Sequence, residues 1–208
     1  MEEQLAPTGT DAPETPVHAT SLPNFRVGIQ VADNKYYDPG DPMYTGEARG
    51  SPAPTYSDWA WDPDHFDPDS VRLHLELSGT TWDFSKDFQI GIAVMESDQV
   101  EFPIQWSGWA SEGGAFSPWA KDGDGFDPDA YRIVLNTRDW PNTKPRIRDF
   151  RLGIKLIDRV CSWFSCRDEA GSVAYTNLAK SGGGWSPWAM DRDGFDPDGA
   201  SVGIQILY

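Results

Sequence analysis

The 208 residues carry a formal charge of −16, from 33 acidic against 17 basic side chains, so the chain repels phosphate backbones and anionic surfaces, which excludes nucleic acid as an expected partner. A 38% hydrophobic content with ten Trp, ten Phe and seven Tyr is the material of a packed body rather than of a disordered chain. There is no apolar run of about 18 residues to make a membrane-spanning helix, and Met1-Glu2-Glu3 lacks the basic start and apolar stretch of a secretory signal.

Residues 1–24 are rich in Pro, Thr, Ala and Glu and read as a flexible tail or linker. From Phe25 the pattern changes. Phe25, Val27, Ile29 and Val31 alternate with Arg26, Gly28 and Gln30, the period of two of a strand with one buried face. The motif Phe-x-x-Gly-Ile that opens this strand returns at Phe88 and Phe150, and each time the alternation continues: Phe88-Ile90-Ile92-Val94 and Phe150-Leu152-Ile154-Leu156. A second block ends each copy, running from an aromatic residue through Trp-Ala and an acidic loop into a closing strand. Its three versions are YSDWAWDPDHFDPDSVRLHLEL, FSPWAKDGDGFDPDAYRIVLNT and WSPWAMDRDGFDPDGASVGIQIL.

The chain is therefore three tandem copies of one antiparallel β unit, at approximately 25–87, 88–148 and 149–208, forming a single domain from 25 to 208. Shorter strands are expected between the opening and closing ones, for example Val100 to Gln105 and Phe116 to Lys121, giving about four strands per copy. One such unit buries too little on its own, whereas three apolar faces turned to a common axis bury one another. Gly28, Gly91 and Gly153 lie on the outward face of a strand, where glycine is otherwise unfavourable, so a bulky ring is expected over each; Trp59, Trp119 and Trp188 are the expected rings.

With its threefold count, its four-strand units and its tryptophan-rich segments, the stretch 25–208 resembles the β-prism modules of jacalin-type lectins and of the vitelline membrane outer layer protein family. The resemblance implies an all-β, pseudo-threefold β-prism of three four-stranded antiparallel Greek-key sheets. A β-trefoil is the competing threefold fold, but its units are usually shorter and no Gln-x-Trp signature recurs.

Twelve of the 24 Asp sit in three loops of eight residues. The second loop holds Asp122, Asp124, Asp127 and Asp129; the third, Asp191, Asp193, Asp196 and Asp198; the first, Asp62, Asp64, Asp67 and Asp69. Calcium takes six to eight oxygens at roughly 2.3–2.6 Å, and acids at alternate positions around glycine let a short loop supply them. The spacing is not that of an EF-hand, since the glycine falls at the fourth place and the closing Glu is absent. Simpler readings are Asx turns that cap the strand connections and, at low weight, a carboxylate pair for glycoside hydrolysis. Pro63, His65 and Trp61 make the first loop the poorest of the three as a calcium site.

Cys161 and Cys166 bracket Ser-Trp-Phe-Ser and should face each other across a hairpin tip. A disulfide there would belong to an oxidising, extracellular setting and would present Trp163 and Phe164 on a rigid loop; two free thiols are the alternative. The equivalent first-copy turn carries Tyr36 and Tyr37. Exposed rings at loop tips suit sugar stacking or shallow membrane insertion. The expectation is thus a non-enzymatic, calcium-binding, lectin-like module engaging a glycan or a membrane surface, in the manner of the targeting domain of a larger protein such as a pore-forming toxin. The alternatives are a structural protein whose loops calcium stiffens and, less favoured, a carbohydrate-active enzyme.

Overall fold

The computed structural model describes residues 22–33, 37–48, 54–61, 68–82, 86–95, 101–121, 128–144, 147–162, 165–190 and 196–207. They form thirteen β-strands and two short 3-10 turns, with no α-helix among them. The alternating segments become the long strands. β1 (Leu22–Asp33) begins ahead of Phe25, so the expected tail of residues 1–24 gives up its last three residues to the sheet. β1 pairs with β5 (Ser70–Trp82), β6 (Lys86–Met95) with β8 (Ala130–Asp139), and β9 (Asp149–Ser162) with β13 (Gly199–Leu207), all antiparallel. In each pair the register sets the apolar alternants opposite one another: Ile29 faces Leu73, Ile92 faces Ile133 and Ile154 faces Val202. All six of those side chains are buried.

The remaining strands are short. β2 (Asp38–Pro39) and β3 (Met43–Tyr44) pair with β1. β7 (Gln105–Trp106) pairs with β6, and β11 (Ala174–Tyr175) with β9. β10 (Ser165–Ala170) folds back on the far end of β9. The strand edges that remain are filled from elsewhere in the chain. β4 (Thr55–Tyr56), in the first copy, pairs with β8 of the second, and β12 (Gly184–Trp185), in the third, pairs with β5 of the first. Between the second and third copies, Ala120 bridges Ala200 and the Ser117 N–H donates to Val202 O at 2.8 Å. Two sheets thus take an edge strand from the preceding copy and the third takes a bridge at Ala120, so the exchange closes a cycle. The expected four-stranded antiparallel sheets are present around β6 and β9, while the sheet around β1 has five strands; the strands of the β9 sheet all come from the third repeat, and the other two sheets each include one strand from another repeat.

A side-chain hydroxyl explains why the exchanged strands are so short. Ser57 Oγ accepts the Ile133 N–H at 3.0 Å, Ser117 Oγ the Val202 N–H at 3.1 Å and Ser186 Oγ the Leu73 N–H at 3.0 Å. Each hydroxyl replaces a backbone carbonyl in the ladder, so the donor is satisfied while the strand turns away. Thr45, Ser107 and Thr176 do the same for Val27, Ile90 and Leu152 on the opposite edges.

The three sheets share one core. At its base Phe25, Phe88 and Phe150 meet, with ring centroids 4.9, 4.9 and 4.7 Å apart and the planes tilted by 56 to 66°. Such edge-on and tilted contacts match the positive rim of one ring to the negative face of the next. Rings do cover the three outward glycines, but not the expected tryptophans. A β-carbon on Gly28 would lie 2.6 Å from Tyr44, one on Gly91 2.8 Å from Trp106 and one on Gly153 2.7 Å from Tyr175. These rings stand on the neighbouring strand directly opposite each glycine, whereas Trp59, Trp119 and Trp188 belong to segments that leave for the next sheet.

Candidate functional site

Register places the two sets of loops together. Each acidic loop precedes a closing strand, and the first residues of those strands, Ser70, Ala130 and Gly199, pair with Ala32, Met95 and Ile157 at the ends of the opening strands. The hairpin tips follow those same ends. The described residues that flank the acidic loops and the hairpin turns therefore share one end of all three sheets, opposite the phenylalanine cluster.

Most of the loop aspartates, Asp62, Asp64, Asp67, Asp122, Asp124, Asp127, Asp191 and Asp193, lie outside the described residues. The last residue of each motif is described: Asp69, Asp129 and Asp198 are buried, at 4%, 7% and 4% exposure. Asp196 is exposed with φ 41°, a left-handed conformation that Asp tolerates better than most residues. Its backbone N–H donates to Asp69 Oδ1 at 3.2 Å, across 127 positions of sequence. Tyr131, fully buried just past the second loop, donates its hydroxyl to Pro197 O at 3.3 Å. The ends of the three motifs thus touch one another through the third. Among the described residues no cluster of three or more His, Cys, Asp or Glu could hold a metal.

Of the tip residues, Trp163, Phe164 and Tyr36 lie outside the described residues, and Tyr37 is 70% exposed. Cys161 is disulfide-bonded, Cys166 is the chain's only other cysteine, and the two stand directly opposite in the register of β9 and β10. This hairpin is the longest of the three. β9 runs five residues beyond Ile157, where β13 begins to pair, so its tip projects roughly 17 Å past the sheet at about 3.4 Å per residue. Val160 and Ser162 on it are exposed.

The three expected cover tryptophans do something else. Each pairs with the aromatic residue three positions earlier to clasp a cation of the next repeat. The Arg132 guanidinium lies 5.0 Å from the Tyr56 ring and 4.5 Å from Trp59. Lys155 Nζ lies 4.9 Å from Phe116 and 4.6 Å from Trp119. Arg72 lies 4.3 Å from Trp185 and 4.4 Å from Trp188. Arg72 and Arg132 are equivalent positions of the closing strand. The third copy has Ser201 there, and Lys155, its partner across the ladder, supplies the charge instead. Three clasps of two cation–π contacts, each contact about 0.5–2 kcal/mol according to exposure, hold the exchanged segments down.

The first sheet's outer face adds a polar cluster. His74 stacks on Trp185 at 4.4 Å and 7°, and its Nδ1 is 2.8 Å from the Tyr44 hydroxyl. Burial pushes the His74 pKa below its ordinary value, with Glu76 pulling the other way, and burial raises Tyr44. On the second sheet, fully buried Asp87 accepts hydrogen bonds from Arg138 Nε at 2.9 Å and from the Ser111 backbone and hydroxyl at 2.9 and 2.7 Å. That carboxylate is consumed in tying the 3-10 turn Ala110–Glu112 to β6 and has no acceptor role left for a ligand. Sequence reasoning missed these ties and the clasps. A signal for them exists: an aromatic residue followed by Ser or Thr occurs at two equivalent places in each repeat, 44–45 and 56–57, 106–107 and 116–117, 175–176 and 185–186, besides 84–85 and 164–165.

Comparison with protein-family models, curated proteins and solved structures finds no match to this chain. Its function has to be read from these residues.

Proposed function

We propose that the chain is a non-enzymatic binding module, a three-sided β-prism whose acidic loops hold calcium and whose neighbouring hairpin tips engage a glycan or a membrane surface. The observation that carries this reading is the register: the strand ends that lead into the three hairpin turns lie beside the strand ends that follow the three acidic motifs. A cation bound in the loops would neutralise that end and stiffen the tips beside it. Packing so many carboxylates there without one costs repulsion or raises a pKa. The disulfide at Cys161 and the projecting β9–β10 hairpin support an extracellular setting and a contact made by Trp163 and Phe164. Service as the targeting domain of a larger protein, a toxin among them, fits the same end-on contact.

One observation favours a structural role for part of the motif. Buried Asp69 accepts the backbone N–H of Asp196, so the last acid of the first motif ties that motif to the third.

Thermal melts with calcium and with chelator test the claim. A ligand that binds only the folded state adds about 2.7 kcal/mol per site at 100 times its dissociation constant, and Asp127→Asn with Asp196→Asn should remove most of that shift. An unmoved melt refutes calcium binding. A glycan array and liposome pelleting, each with and without calcium, then separate the two surfaces, and silence in both leaves only the structural protein.

A further inference from the structure

The three junctions between repeats can be compared position by position. The bonds Gly40 N–H to Val31 O, Phe102 N–H to Val94 O and Gly171 N–H to Leu156 O are equivalent, so Pro39, Glu101 and Ala170 occupy one position of the repeat. Likewise Trp61, Lys121 and Met190 share the place two residues after the clasping tryptophan. What holds the fold recurs at all three junctions: the tryptophan, its cation and the serine hydroxyl. Trp61 and Glu101 recur at neither of the other two, so the fold does not require them.

These two symmetry-breaking residues meet. A cleft of about 340 Å³ is lined by Trp59, Trp61, Met95 and Glu101. Glu101 Oε2 accepts from Arg132 Nη2 at 2.9 Å, and the carboxylate is half exposed. Arg132 is held in turn over Trp59. The cleft therefore offers indole surface beside a carboxylate that Arg132 holds in place. A second cleft, of about 290 Å³, lies between Tyr175, Trp188 and Met190, and among the described residues no charged side chain lines it.

We propose that the first-junction cleft binds a neutral pyranose, its C–H face against Trp61 and its hydroxyls donating to the Glu101 carboxylate, which Arg132 holds in place. An ionised carboxylate has about four acceptor sites, of which Arg132 takes one, leaving the rest for sugar hydroxyls. The resident guanidinium on Trp59 opposes a cationic ligand, and the net charge of −16 opposes an anionic one. The volume sits at the lower end of the about 300–1,000 Å³ typical of ligand pockets, which suits one or two rings. The proposal rests on the binding-module reading but moves the sugar contact from the cysteine hairpin to the boundary of the first and second repeats.

The test is a titration of the full chain, labelled at the tryptophan indoles, with the neutral methyl glycosides of glucose, galactose, mannose and N-acetylglucosamine, followed by NMR. At least one should shift an indole N–H, and Glu101→Gln and Trp61→Ala should each weaken it by about tenfold or more, the worth of a hydrogen bond to a charged group. Met190→Ala and Trp163→Ala should leave it unchanged. Binding that survives Glu101→Gln and Trp61→Ala, or that is lost in Trp163→Ala, overturns this site while leaving the module reading intact. If no glycoside binds the unaltered chain, the proposal falls, and the glycan array and liposomes judge the wider reading separately. Should Trp61→Ala fail to fold, Glu101→Gln decides, being isosteric at a half-exposed position.

Discussion

Replacing Phe150 by alanine is the sharpest test of the shared core. Phe150 has no exposed surface and lies 4.9 Å from Phe25 and 4.7 Å from Phe88. The void left behind would be walled by rings anchored in two other sheets, which cannot close on it without moving a sheet. Phe→Ala in a core costs about 3–5 kcal/mol, and two lost ring contacts of roughly 0.5–1.5 kcal/mol each place this one toward the upper end. With a urea dependence of about 2–3 kcal/mol/M, the unfolding midpoint should fall by about 2 M. Equivalence of the three rings requires that Phe25→Ala and Phe88→Ala cost the same to within about 1 kcal/mol. The double variant of Phe88 and Phe150 should lose less than the sum of the singles, by about the worth of one ring pair, because their contact is removed only once. A loss under about 1 kcal/mol for Phe150→Ala, as for a surface change, or strict additivity in the pair, refutes the meeting of the three sheets at these rings.

Two further outcomes follow from the outer faces. Because burial lowers the His74 pKa from the usual 6.5, the folded state takes up a proton less readily than the unfolded chain. Its contribution is intact above pH 6.5 and erodes as pH falls below it; melting temperatures should drop more steeply across that window than in His74→Phe, and parallel slopes would dismiss the argument. Reducing the Cys161 disulfide should raise hydrogen exchange in β10 and leave the urea midpoint nearly unchanged, since the hairpin's Val160, Ser162 and Ser165 lie outside the core. A loss of about 2–4 kcal/mol, typical where a disulfide constrains the whole unfolded chain, would show the hairpin to be part of the cooperative unit.

What was legible in the sequence is what repeats within one unit. Alternation in Phe25 to Val31 and its two successors defined the long strands and their inward faces, and the cysteine spacing set the hairpin register. What was not legible lies between units. Trp59, Trp119 and Trp188 looked like covers for the glycine of their own repeat because nothing local says that the segment carrying them crosses to the next. The edge strands β3, β4, β7, β11 and β12, two residues each, are too short for a period of two to register. Their mark is the aromatic–Ser/Thr pair, a local hydrogen-bonding signal rather than a hydrophobic one. The acidic loops were obvious as composition, yet nothing in a single loop reveals that Asp69 is engaged by Asp196 from two repeats away.

The cyclic exchange also sets an order on how the chain can fold. The first repeat's closing strand β5 lacks its outer neighbour until the third repeat supplies Gly184 to Ala189, and the Leu73 N–H waits for a serine 113 positions downstream. On the ribosome, the sheet around β1 therefore stays open along one edge until almost the whole chain has been made. Such late, distant pairing slows folding and leaves a strand edge available to other chains meanwhile. Cutting the gene at a repeat boundary removes the edge strand of a neighbouring sheet. Joining the ends near 22 and 207 and reopening the chain at another boundary preserves every pairing while changing which sheet is completed last.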